Sequence, residues 1–301
     1  MLKNNNQFSD KIFSQNKELF NLTKKVKAGS FLFLKNFEAR NIKLDDLAPH
    51  QRIFLFFLTK ILKTYSAICI LCQEGYGQDA YVLLRSLLES LISVKYMLSD
   101  LGSADEKALR FVGYKWVILK RYLSESKDGS KNQQEDDSYY KRKLIIDKFS
   151  EYKRQYNIVS DRALLTWSGK TIKDMARTTD KNLFLEYESA FRIYSRFSHA
   201  SIIGDNEYMY FQNNILTFSP SPGTIAVTSA LKNAINYTMD FLRVFNDLLD
   251  LRCDTHIRKL EGNITEVFSM EKYKDTPAVE NSYTKDDFKK MFVKFDIPLN
   301  K

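Results

Sequence analysis

Two apolar stretches, Gln51 to Glu74 and Gln78 to Leu98, are separated only by Gly75-Tyr76-Gly77. A link that short permits little besides an antiparallel helix hairpin. Breakers are scarce elsewhere too, with 10 Gly and 5 Pro in 301 residues. Such scarcity implies long helices and few tight turns, so the chain reads as all-α, a multi-helix bundle built on long antiparallel helix hairpins. Hydrophobic residues make up 44%, with 22 Phe and 17 Tyr, enough for a well-filled core. The most apolar segment, Ile53 to Cys72, is interrupted by Thr59, Lys60, Lys63, Thr64 and Ser66. That pattern predicts a buried core helix and no membrane span.

Periodicity places further helices in order. Phe8 to Lys27 is amphipathic, Gly29-Ser30 is expected to break it, and Phe31 to Phe37 to resume it. Ala104 to Ser124 and Tyr139 to Tyr156 read as helices, the second a basic face, with a polar loop from Glu125 to Ser138 between them. Thr171 is placed to cap a short helix through Met175, with Asp174 in the three-on position. A central helix spans about Asn182 to Ser201. Around 202–224, Gly204, Pro220, Pro222 and Gly223 interrupt regularity, and alternating apolar residues predict a small irregular or hairpin insert. Ile225 to Leu251 is the last strong helix. Domain limits are expected at 1–255, with its core at 51–251, and at 256–301, a tail of short amphipathic pieces such as Phe288 to Phe295.

The net charge of +9 and pI of about 9.2 favour polyanions, RNA among them. A lysine-rich composition that merely keeps the protein in solution accounts for the same numbers. Three cysteines and no apolar signal core among the first residues predict a reducing cytoplasm without disulfides. Cys69-x2-Cys72 with Cys253-x2-His256 has the ligand types of a zinc site. The first pair sits inside an apolar helix, where reduced cysteine is a small hydrophobe, so no metal and no cofactor is expected. His50 precedes a helix and reads as a surface or capping residue.

The candidate site is Tyr187 to Ser201. At roughly 100° per residue, Glu188, Arg192, Ser195, Arg196 and His199 share one narrow stripe, while Ala190, Phe191, Ile193, Tyr194, Phe197 and Ala200 cover the rest. A helix apolar over most of its surface is normally buried, and buried charge needs a partner, a ligand or a cleft. On the Gln78–Leu98 helix, Gln78, Arg85, Glu89 and Tyr96 line a polar stripe. Arg85 and Glu89 can pair along the helix at the rim of a core. They can equally face the Arg192/His199 stripe across a cleft.

Gly77-x-Asp79-Ala80, Leu84-Arg85-Ser86-Leu87-x-Glu89, Trp167-x-Gly169 with Met175, and Tyr194-Ser195-x3-His199-x-Ser201 together resemble a bacterial domain-of-unknown-function family, five-six-seven-seven. That resemblance spans about Gln51 to Ser201 and implies an all-helical intracellular protein. Arg192-x6-His199 is distantly similar to the motif of HEPN ribonucleases. The similarity implies a metal-independent, homodimeric RNA-cleaving site on a late helix, in a toxin or phage-defence effector with a neutralising or defence-system partner. In that chemistry His199 takes a 2′-hydroxyl proton, Arg192 and Arg196 stabilise charge on the phosphate, Ser195 orients the histidine or contacts phosphate, and Arg85, Glu89, Glu188 and Tyr96 complete the binding pocket. The rival expectation is a non-catalytic interaction or sensor module whose polar groups bind a partner protein or a small ligand.

Overall fold

A computed structural model describes residues 5–125, 137–160, 164–198, 209–212, 215–218, 222–224 and 226–276. In chain order they form α1 (Asn5–Glu38), α2 (Pro49–Gln73), α3 (Gly77–Leu98), α4 (Ala104–Gly113), α5 (Lys115–Glu125) and α6 (Asp137–Gln155). Then come α7 (Ile172–Thr179), α8 (Lys181–Glu186), a π turn (Tyr187–Phe191) and α9 (Arg192–Ser198). A hairpin, β1 (Met209–Gln212) and β2 (Ile215–Phe218), precedes α10 (Val227–Leu249), α11 (Asp254–Phe268) and α12 (Glu271–Lys274). The strands pair antiparallel, Met209 opposite Phe218 and Gln212 opposite Ile215, within the stretch expected to hold an insert. The architecture is all-α, a multi-helix bundle with that one small ladder.

The chain divides into two compact units, one of residues 1–39, 60–88 and 188–301, the other of 40–59 and 89–187. In the first, α10 packs on α1, and α11 packs on both. Fifteen α10 side chains are buried, from Val227 to Leu249, because its apolar positions cover a broad face and leave one polar stripe, Thr228, Lys232, Asn236, Asp240, Arg243 and Asp247. The rings of Phe33 and Phe37 lie 6.5 and 6.3 Å from that of Phe245. α1 kinks at Asn16 (φ −116°, ψ 20°). There the Asn16 amide donates to the Ile12 carbonyl and its oxygen accepts from Thr228, a side chain competing with the helix ladder.

Gly29 does not break α1, contrary to the sequence expectation. A Cβ there would lie 2.7 Å from His256 Nε2 and 2.9 Å from Leu260 Cδ1. The glycine serves close packing of α11 on α1, which outweighs its poor helix propensity. Residues 254–274 supply α11 and α12 to this unit, in the stretch where short amphipathic helices were expected from 256 onward. Lys272 and Tyr273 of α12 hydrogen-bond to Glu18 of α1, and Lys272 first, then the other donors, holds the Glu18 carboxyl down at about 2. Phe288–Phe295 lies outside the described residues.

In the second unit, Phe57, Phe111, Trp167 and Tyr96 form a chain of ring contacts between 5.1 and 5.9 Å. The expected single helix 104–124 is two, α4 and α5. It is interrupted at Gly113, the poorest helix former of the segment, where the Tyr114 hydroxyl reaches the carbonyls of Leu164 and Leu165 at 2.8 Å. Most of the 125–138 loop lies outside the described residues. Thr171 caps α7 as expected, accepting from the Asp174 N–H at 3.1 Å. His50 is the capped residue and not the cap. Its backbone N–H and its ring Nδ1 both meet Asp105 Oδ1, at 3.1 and 2.6 Å, and the His50 ring contact holds that carboxyl below its usual range.

α2 is long and apolar enough, by length and composition alone, to cross a membrane, and 33% of that window is buried. It is therefore less enclosed than the sequence suggested. Phe54, Phe57, Leu58, Ile61, Tyr65, Ile68 and Cys72 are buried, whereas Phe56 and Ile70 are exposed, because the apolar residues encircle the helix and the core occupies one side. The turn from α2 to α3 is fixed by Gly75, at φ 84°. Its carbonyl accepts from the Gly223 N–H at 2.8 Å. A Cβ on residue 75 would meet Ile12 and Pro222 at 2.7 Å and the Gly223 carbonyl at 3.0 Å. Gly75→Ala is expected to lower stability by roughly 2 kcal/mol or more, combining left-handed strain with backbone crowding. Gly75→Asn, which tolerates the dihedral, gains no rescue because its Cβ meets the same atoms. Urea midpoints check both; a loss below about 0.5 kcal/mol would contradict this account of the turn.

Candidate functional site

The candidate helix is built in three pieces: α8, the π turn and α9. The wheel drawn from the sequence holds in outline, with Ala190, Phe191 and Tyr194 buried and Arg192 and Arg196 exposed. The π turn was not legible from the wheel. It inserts extra backbone immediately before Arg192, the kind of irregularity that often marks a functional position.

Burial on the apolar side comes with polar anchors. Tyr194 and Tyr81 of α3 are both fully buried, their ring centroids 5.1 Å apart, and Phe197 lies 5.2 Å from Tyr81. A buried phenol needs a hydrogen-bond partner, and α10 supplies both. Asn233 Nδ2 donates to the Tyr194 hydroxyl at 2.7 Å, and the Ser229 hydroxyl lies 2.6 Å from that of Tyr81. Ser229 and Asn233 are one turn apart on α10, so one face of that helix anchors both α3 and α9. Sequence reasoning missed Tyr81, Ser229 and Asn233. The available signal was two polar residues four apart on the apolar side of an amphipathic helix.

On the polar side, Arg192 Nη1 donates to Glu188 Oε2 at 2.9 Å across the π turn, with 59% of the arginine and 28% of the glutamate side chain exposed. This corrects the expectation of buried charge: both arginines face water, where an ion pair stabilises by at most about 1 kcal/mol. Ser195 gives its hydroxyl proton to the Phe191 carbonyl at 2.9 Å. Its oxygen lone pairs still accept. The Arg85 guanidinium lies over the Phe191 ring, 5.3 Å from its centroid, a cation–π contact with the π turn. Arg85, Glu188, Arg192 and Ser195 therefore gather around Phe191. Gln78 is buried at the start of α3, its side-chain oxygen without a hydrogen-bond partner among the described residues.

Tyr96 keeps other company. Its ring meets Trp167 at 5.9 Å, and the ammonium groups of Lys107 and Lys170 each lie 5.1 Å from it. Glu89 is half-buried one turn after Arg85 in the same helix. His199 lies outside the described residues.

No group of three or more His, Cys, Asp or Glu among the described residues is placed to hold a metal ion, and Cys69, Cys72, Cys253 and His256 gather in none. Burial pushes the Cys69 thiol up to about 11 and the Cys72 thiol higher than usual as well, so both are protonated and poor ligands at neutral pH. Cys253 instead accepts a hydrogen bond from Asn36.

The chain belongs to a family of unknown function (DUF5677), whose model matches residues 51–214. No curated protein and no solved structure matches it. Within the matched segment, Ala80, Leu84, Met175 and Tyr194 are fully buried, Leu87 and Trp167 nearly so, and Gly169 turns the chain at φ 72°.

Because Arg192 is mostly exposed, Arg192→Gln is expected to change stability by no more than about 0.5 kcal/mol. Chemical denaturation measures it. A loss of 2 kcal/mol or more would show the guanidinium holding the fold together, and would remove the basis for reading it as a residue aimed at a ligand.

Proposed function

We propose that this chain is a HEPN-like, metal-independent endoribonuclease. The observation that carries the proposal is the outward presentation of Arg192 and Arg196 from a helix whose opposite face is anchored in a core. Single-stranded RNA brings a phosphate to those guanidinium groups, which stabilise the charge that builds during cleavage. His199, three residues after Arg196 in sequence, takes the 2′-hydroxyl proton, since its ordinary pKa lies near neutrality. Glu188 orients Arg192, and Ser195 accepts a hydrogen bond from the histidine or the RNA. Proton transfer and charge stabilisation are both supplied by side chains, so the chemistry requires no metal.

A site with cations turned outward suits completion by a second copy, and the proposal includes a cytoplasmic homodimer. Uncontrolled RNA cleavage harms the host cell, so the role that fits is a toxin or phage-defence effector restrained by a partner protein.

One observation favours a second reading. Arg192 is already engaged by Glu188, the Ser195 proton by Phe191, and Tyr194 and Tyr81 by α10. In that reading the groups specify packing, and the exposed arginines bind a partner protein or a small ligand without catalysis.

Incubation of the purified chain with labelled RNA in excess chelator at neutral pH separates the two. Cleavage is expected, and His199→Ala is expected to slow it at least about 100-fold with helicity unchanged. Equal rates for parent and His199→Ala would overturn the catalytic proposal and leave the interaction module.

A further inference from the structure

Across α5 and α6 stand nine Lys and Arg against four Asp and Glu. Where these helices meet the chain at Leu164, a cavity of ≈ 360 Å³ opens, at the lower end of the range of small-molecule sites, ~300–1,000 Å³. Its floor is apolar. Val117 and Leu164 belong to a small core with Tyr152 and Ile158, and Phe149 packs on that core's edge. Its rim is Lys120, Arg121 and Lys153 with Ser124, and none of the described lining residues is acidic.

One rim cation, Arg121, is held in position by the chain itself. Arg121 Nη2 donates to the Leu164 carbonyl at 2.5 Å, and the Tyr114 hydroxyl donates to the same oxygen at 2.8 Å. A guanidinium has five N–H donors, so this tether orients the fork without exhausting it. The Lys153 ammonium lies 5.8 Å from the centroid of the Phe149 ring, which places charge beside an aromatic face. Three cations around one apolar-floored cavity make a concave positive potential, and the described lining residues add no carboxylate to it. The matching ligand carries a multiply charged anion at one end and a flat or apolar body at the other. The volume admits one such unit and not a length of strand.

We propose that this cavity binds a nucleotide, its phosphate on Lys120, Arg121 and Lys153 and its base or sugar on the Phe149–Val117–Leu164 floor. The site shares no residue with the proposed ribonuclease and stands independently of it. The nucleotide is either a free molecule or the phosphorylated 5′ end of an RNA, because both present the same chemistry.

Calorimetric titration of the full chain at low ionic strength tests the assignment with four probes: 5′-AMP, a 5′-phosphorylated tetraribonucleotide, its 5′-hydroxyl counterpart and inorganic phosphate. Saturable one-to-one binding of a 5′-phosphorylated probe is expected, at least tenfold tighter than inorganic phosphate and the 5′-hydroxyl oligomer. Lys120→Gln/Lys153→Gln, with helicity confirmed by circular dichroism, is expected to weaken it at least tenfold, and Lys120→Glu likewise. The oligomer titrations of parent and lysine variants are all made in the His199→Ala background, so that cleavage of a probe at the other site cannot pass for weak binding here. Tighter binding of AMP supports a free nucleotide, and tighter binding of the phosphorylated oligomer supports an RNA terminus. The proposal is overturned by absence of saturable binding for both phosphorylated probes. Parent-like affinity in the double lysine variant, or inorganic phosphate binding as tightly as the better of the two phosphorylated probes, overturns it equally.

Discussion

A phenol hydroxyl removed from water must find a partner or forfeit roughly 1–3 kcal/mol. Tyr81 and Tyr194 are both fully buried, and both find their partners on α10. That requirement organises the candidate site. It ties α3 and α9 to one helix face, and each ring-on-ring contact contributes of order 1 kcal/mol beyond its burial. Once Tyr194 points inward to Asn233, helical geometry turns Arg192 and Arg196 outward. The direction of the arginines is thus a consequence of where a tyrosine can satisfy its hydroxyl.

The π turn enters at the same place. A stretch of i→i+5 bonding adds a residue to the helix and rotates the segment after it relative to the segment before it. Glu188 still reaches Arg192 across the turn, and Phe191 is buried beneath the Arg85 guanidinium.

Much of the fold was legible in the sequence because it depends on local physics. The α2–α3 link at Gly75, the Thr171 cap and the apolar run of α10 each reflect propensity and period within a few residues. What was misread depends on residues far apart in the chain. Gly29 looks like a breaker until His256 and Leu260 are brought against it. That Glu18 and Lys272 meet could not be foreseen from positions 254 residues apart. At the site, the stripe of Glu188, Arg192, Ser195 and Arg196 was visible. Its exposure was not, since a wheel reports which residues share a side and not whether that side meets core or water. Tyr96 was grouped with Arg85 by helical spacing, yet its ring belongs with Trp167, Lys107 and Lys170.

The central claim is that hydrogen bonding to α10 fixes the orientation of α9. A double-mutant cycle on Tyr194→Phe and Asn233→Ala, read from urea denaturation, tests it most directly. A coupling energy of about 1–2 kcal/mol is predicted, since each single change strands the other's polar group in the core. Strict additivity of the two changes would contradict the account.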